Sequence, residues 1–461
     1  MRPLGTFILL CVISCSSDGS RGRLNVSDVS SGTARDAVDG ADSSAGVDGG
    51  DQIDAADGSD GADNGDATTS LDSADTADAT DGGVASDGLD GSSSPSGIVV
   101  EDLGTIQATG GTSGTLSFTT PENAVSFSIT VEGEDGVFYA VDNLRGPDGV
   151  VLAPGSWPTN IANQGGHIVC LICDNRLSSG ESAHGVLVPN TPNVSMLPGT
   201  WTFSVMSFTV SAGGNAFGAP TVELTDSSYD VRVSFLEPEA DVIPTAGVLG
   251  LNLWFTGSNG LSAESAQTDE RLQAAVLRFI ETYASAGIAV SPVRYFDLDI
   301  GIDTVDSLSG AGNDFEALAS ATAGADAGVN LIFVEEIVDG SSPLSGFGLI
   351  LGIAGGIPGP TLGQGTGRSA VLIRTADVPE GAGLEIPANL GNTMAHEAGH
   401  YLGLFHSSEQ ALFGPQLHDP IPDTAENDNQ NLMHFNNLGN TISEQQGAVL
   451  RSNPWVAPEG E

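Results

Sequence analysis

The segment Met394–His406, MAHEAGHYLGLFH, constrains its local structure more tightly than any other part of the chain. The pattern H-E-x-x-H-x-x-G-x-x-H is formed there by His396, Glu397, His400, Gly403 and His406. Two histidines four residues apart lie on one face of a helix, so both imidazoles can bind one ion. Gly403 permits a sharp turn after the helix, which can bring the third histidine, His406, back toward the other two. Three imidazoles with an open fourth position are typical of a catalytic zinc site, so we predict one Zn²⁺ here, with Glu397 beside it.

The charge of the chain is strongly one-sided. Its 461 residues include 60 acidic and 13 basic residues, all of the latter arginine, for a net charge of -47. Such a charge repels phosphates and argues against a nucleic acid partner. The sequence carries no signal for an oligomeric state.

Residues 1–15, MRPLGTFILLCVISC, have the composition of a signal peptide. The end of this segment, Val12-Ile13-Ser14-Cys15, resembles the lipobox of bacterial lipoproteins, which implies lipidation at Cys15. The alternative is an ordinary signal peptide cut nearby. No later apolar run approaches the roughly 20 residues of a membrane helix, so we expect membrane contact only through acyl chains. The resemblance implies a bacterial cell envelope, and Ser16 after the cysteine favours the outer membrane or cell surface.

Residues 16–97 consist mainly of Asp, Ala, Gly and Ser, with aspartate recurring at every third position over long stretches. A period of three builds no apolar face for a helix or a strand, so we predict a disordered acidic tether. Calcium loops need other ligand spacings and a closing acidic residue, which makes specific Ca²⁺ binding the weaker alternative.

Residues 98–240 show short runs in which apolar and polar residues alternate, as in Thr200–Ser207. This pattern predicts an all-β sandwich that serves as a spacer, stabilises the next domain, or binds a substrate or surface. Cys170 and Cys173 form a lone C-x-x-C, for which a local disulfide is expected outside the cytoplasm. Alternatives are a metal site with His167, a redox role, or a thiolate that keeps the zinc site latent.

Residues 245–457 alternate between strand and helix periodicity. Strands are predicted at Val248–Phe255, Ile288–Phe296, Asn330–Glu335 and Ser369–Thr375, the first of them largely buried, and a long amphipathic helix at Ser262–Ala286. A further helix is expected within residues 309–328. This order predicts a twisted mixed sheet packed on helices, so the chain as a whole is predicted to be α+β.

The histidine motif resembles the long zinc-binding consensus of the metzincin metallopeptidases. Met433 lies 27 residues beyond His406, where that clan has a methionine turn. The segments His418–Thr424 and Thr441–Arg451 are similar to the pappalysin-type branch, in which an Asp-Thr pair precedes the turn and a short helix follows it.

This resemblance implies roles for individual residues. His396, His400 and His406 would bind zinc, Glu397 would be the general base, and Met433 would form an apolar floor without binding the metal. The strand at Ser369–Thr375 is expected to be an edge strand that pairs with extended substrates. His418 and His434 are expected to stay out of the ligand set, and Phe435 replaces a tyrosine ligand found in some branches. The predicted function is zinc-dependent hydrolysis of peptide bonds in extracellular proteins or peptides. The alternative is a lipid-anchored adhesion protein with a vestigial metal site.

Overall fold

The strands and helices of the protein are described by a computed structural model. It describes residues 97–159, 169–170, 173–211, 221–239, 242–338, 350–376, 386–409, 417–435 and 439–459. The predicted signal peptide, Cys15, nearly all of the predicted tether, and His167 lie outside these residues. No helix within the described ranges is long and apolar enough to cross a membrane.

Apart from a 3₁₀ turn at Trp157–Thr159, the regular structure described in the first half of the chain consists of antiparallel strands. The strands are β1 (Ile98–Ala108), β2 (Leu116–Thr120), β3 (Ser126–Glu132), β4 (Phe138–Arg145), β5 (Val169–Cys170), β6 (Leu177–Ser178), β7 (Gly180–Glu181), β8 (Ala183–Val188), β9 (Gly199–Ser211), β10 (Thr221–Leu224) and β11 (Ser227–Leu236). One sheet has the order β1-β11-β3-β8, and the other has the order β10-β9-β4-β7 with β2 paired to β9. Alternate residues of both sheets, such as Ile129 and Val205, share one apolar core, which makes this half a β-sandwich.

In its described residues, the second half contains a mixed sheet, two two-stranded sheets, five α-helices and a 3₁₀ turn at Ser258–Gly260. The strands are β12 (Gly247–Phe255), β13 (Ile288–Asp297), β14 (Thr304–Val305), β15 (Val329–Val334), β16 (Glu336–Ile337), β17 (Gly352–Ala354), β18 (Val371–Arg374), β19 (Ser408–Glu409), β20 (Leu417–His418) and β21 (Val456–Pro458). The helices are α1 (Ala263–Ala266), α2 (Glu270–Ala284), α3 (Asp314–Ser320), α4 (Ile386–Tyr401) and α5 (Glu444–Ser452). The prediction of an α+β protein is confirmed, with many strands and few helices.

The main sheet of this half has the strand order β13-β12-β15-β18-β17, with β21 on β12. Strands β12, β13, β15 and β18 are parallel, and β17 runs antiparallel to β18. The expectation that the strand around Val371–Arg374 lies at the edge is therefore wrong. Among the described strands, the edge on the β18 side of the sheet is β17, a short strand inside a glycine-rich segment that does not show a strand pattern.

The predicted helix Ser262–Ala286 is divided into α1 and α2. Asp269 begins the second helix, because its carboxylate accepts a hydrogen bond from the Leu272 N–H at 2.8 Å. One face of α2 is buried against the sheet and α4. The Tyr283 hydroxyl on this face donates to the Ala395 carbonyl at 3.0 Å, which ties α2 to the helix that carries the histidine motif.

The sandwich and the second half belong to one compact unit. Buried hydrogen bonds cross between them, from the Thr130 hydroxyl to the Thr361 carbonyl at 2.9 Å and from the Ser178 hydroxyl to the Ile357 carbonyl at 3.0 Å. Arg368 also forms a buried ion pair with Glu181 at 2.7 Å. The sandwich is therefore packed directly against the half that contains the histidines.

Candidate metal centre

Helix α4 places His396 and His400 one turn apart. Both side chains are fully buried, and their ring centroids are 4.7 Å apart. Close packing of α4 on α2 requires a glycine, because a Cβ atom at Gly391 would lie 2.7 Å from both the Ala275 carbonyl and the Arg278 Cβ. The helical period of the sequence thus fixes the spacing of these two imidazoles, and α2 supports them from behind.

The third histidine is brought back by a left-handed turn. Gly403 has a φ of 112°, which favours glycine, and its N–H donates to the His400 carbonyl at 2.9 Å. The chain then returns toward α4. His396, His400 and His406 each offer a ring nitrogen, and these three atoms all lie within 4.8 Å of one another.

Backbone carbonyls orient the two helical imidazoles. The His396 Nδ1 lies 2.5 Å from the Leu432 carbonyl, and the His400 Nδ1 lies 2.7 Å from the Leu404 carbonyl. Because a carbonyl only accepts hydrogen bonds, each Nδ1 carries the proton and each Nε2 keeps a free lone pair. Hydrogen bonds of this kind, from the ring nitrogen that does not bind the metal to a backbone carbonyl, orient metal-binding histidines in proteins.

Burial keeps these imidazoles neutral. It lowers the pKa of His396 to about 3, with a further lowering by His406 and an opposing effect of the hydrogen bond to Leu432. Burial also lowers the pKa of His400 well below its ordinary value of 6.5. The neutral imidazole is the form that binds metal, so both residues are ready to act as ligands at neutral pH.

The donor set fits a metal ion. The His400 Nε2 is buried without a hydrogen-bond partner, and the Nε2 atoms of His396 and His406 are only 3.2 Å apart. A lone pair left in this way carries a free-energy cost that a bound cation removes. His396, His400 and His406 form a group that can bind a metal ion, and neither His418 nor His434 belongs to it among the described residues.

Met433 lies beneath the histidines, where its side chain is fully buried. A Cβ atom at Gly399, on the same turn of α4 as His400, would lie 2.7 Å from the Met433 Sδ. The turn that carries Met433 is closed by the His434 N–H, which donates to the Asn431 carbonyl at 3.1 Å. The sulfur therefore packs against the backbone of α4 itself.

A buried pair of amides holds this turn in place. The Asn431 Oδ1 accepts from the Met433 N–H at 2.9 Å, and its Nδ2 donates to the Gln446 Oε1 at 2.8 Å. Gln446 also accepts from the Ser443 N–H at the start of α5. Sequence reasoning missed Asn431 and Gln446. The S-x-x-Q spacing of Ser443 and Gln446 is a capping-box signal that marks the start of α5, but it does not reveal Asn431 as a partner.

Glu397 is fully buried next to His396. Strand β17 passes directly over it, since a Cβ atom at Gly352 would lie 2.7 Å from the Glu397 Cγ and 3.0 Å from the Thr393 Cγ2. Only a glycine permits this approach. The edge of the sheet, the acidic side chain and the three imidazoles are thus brought together.

The remaining predicted residues have other contacts. His418 lies 3.2 Å from the Ser408 hydroxyl and 3.0 Å from the Thr424 carbonyl, so both of its ring nitrogens have protein neighbours. The ring of His434 packs 4.5 Å from that of Phe435. Cys170 and Cys173 are joined by a disulfide, with their Cα atoms 5.5 Å apart.

No protein-family model and no curated protein matches the chain. Among solved structures, the chain is similar to the crystal structure of metalloproteinase-II from Bacteroides fragilis, with 16% identity. The match covers 49% of this chain and 60% of that chain, less than two thirds of its length, with a TM-score of 0.25.

Proposed function

We propose that the protein is a zinc-dependent endopeptidase of the metzincin type. The observation that carries the proposal is the group of three buried imidazoles, His396, His400 and His406, whose ring nitrogens lie within 4.8 Å of one another beside the buried Glu397. Neutral imidazole donors suit zinc, and three of them leave a position open for a substrate. Met433 beneath the site agrees with the metzincin resemblance.

Zinc bound by the three histidines would polarise the scissile carbonyl and lower the pKa of a water molecule to near 7. Glu397 is assigned the proton transfers. Its carboxylate would accept a proton from the attacking water and deliver it to the leaving amine. The close packing of β17 over the Glu397 side chain restricts its rotamers, which keeps the carboxylate beside the imidazoles.

Strand β17 is the proposed binding edge for the substrate. It pairs with β18 on one side only, among the described strands, which leaves its other main-chain groups available to an extended peptide. Addition of a substrate strand to a sheet edge provides main-chain hydrogen bonds without selecting a sequence. Because β17 lies over Glu397, a peptide bound along it would place its backbone next to the acidic side chain and the histidines.

The Glu397→Gln variant tests the activity. It keeps the size of the side chain and removes the base, so we expect about one zinc per chain and a loss of peptide cleavage of at least ~100-fold. Glu264→Gln, on the exposed face of α1, is the matched control and should retain full activity. Metal removal by a chelator should abolish cleavage, and added zinc should restore it.

Full cleavage by Glu397→Gln would refute the assigned base. A wild-type protein that cleaves no member of a peptide library, yet binds a cell or matrix surface without metal, would favour the alternative of an adhesion protein with a vestigial metal site.

We extend the proposal to the location of the protein. The lipobox resemblance at Val12–Cys15 supports a bacterial lipoprotein anchored through Cys15, and the following aspartate-rich segment would hold the enzyme away from the membrane. As a flexible chain, 82 residues have a root-mean-square length of about 50 Å. The Cys15→Ser variant should leave the membrane fraction, and unchanged fractionation would refute the anchor.

A further inference from the structure

His406 is the ligand whose position the local sequence supports least. It lies five residues beyond Tyr401, the last residue of α4, so helical hydrogen bonds do not hold it. His396 and His400 are fixed by the helix and by their Nδ1 hydrogen bonds to carbonyls. Tertiary contacts around Gly403–Ser407 must therefore place the third imidazole.

The sandwich forms the wall behind the turn at Gly403. A Cβ atom on this glycine would lie 3.0 Å from the Cδ2 of Leu187, a residue of β8. Leu187 is fully buried and belongs to the apolar core of the second half rather than to the core of the sandwich. Strand β8 thus limits how far the turn that leads to His406 can move away from α4.

Arg176, also from the sandwich, contacts the chain on both sides of the loop that carries His406. Its side chain is buried, and its Nη2 donates to the His418 carbonyl at 2.6 Å. Its guanidinium carbon lies 6.0 Å from the ring centroid of Phe405, the residue before His406. A buried guanidinium near an aromatic face is attracted to it, so Arg176 connects Phe405 to the strand that contains His418.

Two buried asparagines hold Arg176 in this place. The Asn190 side chain accepts from the Arg176 N–H at 3.1 Å and donates to the Arg176 carbonyl at 2.6 Å. The Asn175 side chain donates to the Leu187 carbonyl at 2.9 Å. Arg176 is thereby attached to the end of β8, and its guanidinium has little freedom to leave Phe405.

The other side of the ligand loop is held by the methionine turn. The Ser407 N–H donates to the Met433 carbonyl at 2.8 Å, and the Ser407 carbonyl accepts from the Asp419 N–H at 3.1 Å. His406 thus lies between Phe405, which Arg176 contacts, and Ser407, which the methionine turn contacts.

We propose that Arg176 is a positioning residue for His406, and that the sandwich is a structural part of the metal centre rather than a separate binding module. This inference rests on the proposed function in so far as His406 binds the metal. In the absence of Arg176, the ligand loop would keep its anchor to Met433 and the packing of Leu187 near Gly403, but it would lose the guanidinium that joins Phe405 to the His418 carbonyl. The third imidazole would then spend less time in reach of an ion held by α4.

The experiment compares Arg176→Met with Arg145→Met in the full chain. Methionine keeps the apolar stem but removes the guanidinium, and Arg145 is an exposed arginine of β4 that serves as the control. Zinc affinity is measured by competition with a chelator, and ligand geometry by the visible absorption of the Co²⁺-loaded protein. Loss of groups that orient metal ligands typically weakens metal binding by about 10–100-fold. We expect this weakening of zinc binding for Arg176→Met and not for Arg145→Met.

The conservative variant Arg176→Lys distinguishes positioning from bulk packing. An ammonium can donate to the His418 carbonyl but lacks the planar face that packs on Phe405, so we expect zinc affinity between those of the wild type and Arg176→Met. The Co²⁺ spectrum should shift in the same order. The proposal would be overturned if Arg176→Met bound zinc within about twofold of the affinity of Arg145→Met and its Co²⁺ spectrum were unchanged.

If Arg176→Met does not fold, Phe405→Leu replaces it, because leucine keeps an apolar side chain and removes only the ring. The same weakening of zinc binding is expected, and wild-type affinity would overturn the proposal. Both readouts are independent of peptide cleavage. A protein that loses zinc affinity on these substitutions but shows no Glu397-dependent cleavage would retain the positioning role and refute the peptidase.

Discussion

Replacement of Asn431 by alanine removes the side chain that links the methionine turn to α5. The side-chain Oδ1 of Asn431 accepts from the Met433 N–H at 2.9 Å and from the Gln446 Nε2 at 3.1 Å. Its amide donates to the Gln446 Oε1 at 2.8 Å. Both amide side chains are buried, Asn431 at 4% exposure and Gln446 at 0%, so water does not readily replace these bonds.

The magnitude follows from the groups that lose their partners. In Asn431→Ala, the Met433 N–H and the Gln446 amide nitrogen lose the contacts described above, whereas the Gln446 oxygen keeps the Ser443 N–H at 3.0 Å. Each buried donor without a partner costs about 1–3 kcal/mol, so two of them should lower the free energy of unfolding by about 2–6 kcal/mol. Zinc affinity should fall as well, because the His396 ring is oriented by the Leu432 carbonyl of the same turn.

The assay is urea unfolding of the metal-free and the zinc-loaded protein, together with chelator competition for zinc. Gln430→Ala is the matched control, since it removes a neighbouring amide that is exposed and should change stability by less than about 0.5 kcal/mol. Asn431→Asp keeps an acceptor for the Met433 N–H but loses the donor to Gln446, so we expect an intermediate loss.

A loss of stability in Asn431→Ala no larger than in Gln430→Ala would refute the reasoning. It would mean that the turn beneath the histidines is held by its backbone and by the Met433 side chain alone. A large loss of stability with unchanged zinc affinity would refute the second step, the transmission of this support to His396.

Two further outcomes are expected. His184 is fully buried in the sandwich core with both ring nitrogens lacking hydrogen-bond partners, and burial lowers its pKa from 6.5 to about 3. As the pH falls below 6.5, the unfolded chain takes up a proton that the folded chain excludes, so this group lowers the free energy of unfolding by up to about 1.4 kcal/mol per pH unit down to pH 3. His184→Leu should show a shallower pH dependence in urea unfolding, and parallel curves for the two proteins would contradict this. Gly352→Ala introduces a Cβ atom 2.7 Å from the Glu397 Cγ, so kcat/KM for peptide cleavage should fall by about 100-fold at unchanged zinc content. The control Gly114→Ala places a Cβ atom that meets nothing within 4 Å, so kcat/KM should not change. Equal activity of the two variants would show that Glu397 tolerates displacement.

Periodic patterns of the sequence predicted much of the secondary structure. The strand expected at Val248–Phe255 is observed at Gly247–Phe255, and the expected second strand ends one residue later, at Asp297. The first of these strands is largely buried, which produces its continuous apolar run, whereas the second is an edge strand with many exposed residues. The pattern failed where a short polar stretch intervened, because it did not show that Asp269 begins a new helix inside the predicted one.

Strand β17 shows why composition misleads at a functional edge. Its glycines are typical of a loop, since glycine weakens strands in general. In the fold, Gly352 is required because the strand crosses the Glu397 side chain at a distance that excludes a Cβ atom. The reason for this glycine is a contact between residues 45 positions apart in the sequence, and no local pattern records such a contact.

The sequence by itself determined the chemistry of the centre: two imidazoles on one helical face, an acidic residue beside them, and a glycine turn leading to a third imidazole. These features follow from the helical period and the backbone freedom of glycine, which act over a few residues. Only the tertiary structure decided how the third imidazole is held, through Arg176, whose hydrogen bond to the His418 carbonyl spans 242 residues of chain. Contacts over such separations depend on the packing of the sandwich against the second half, and packing leaves no periodic signal in a single sequence.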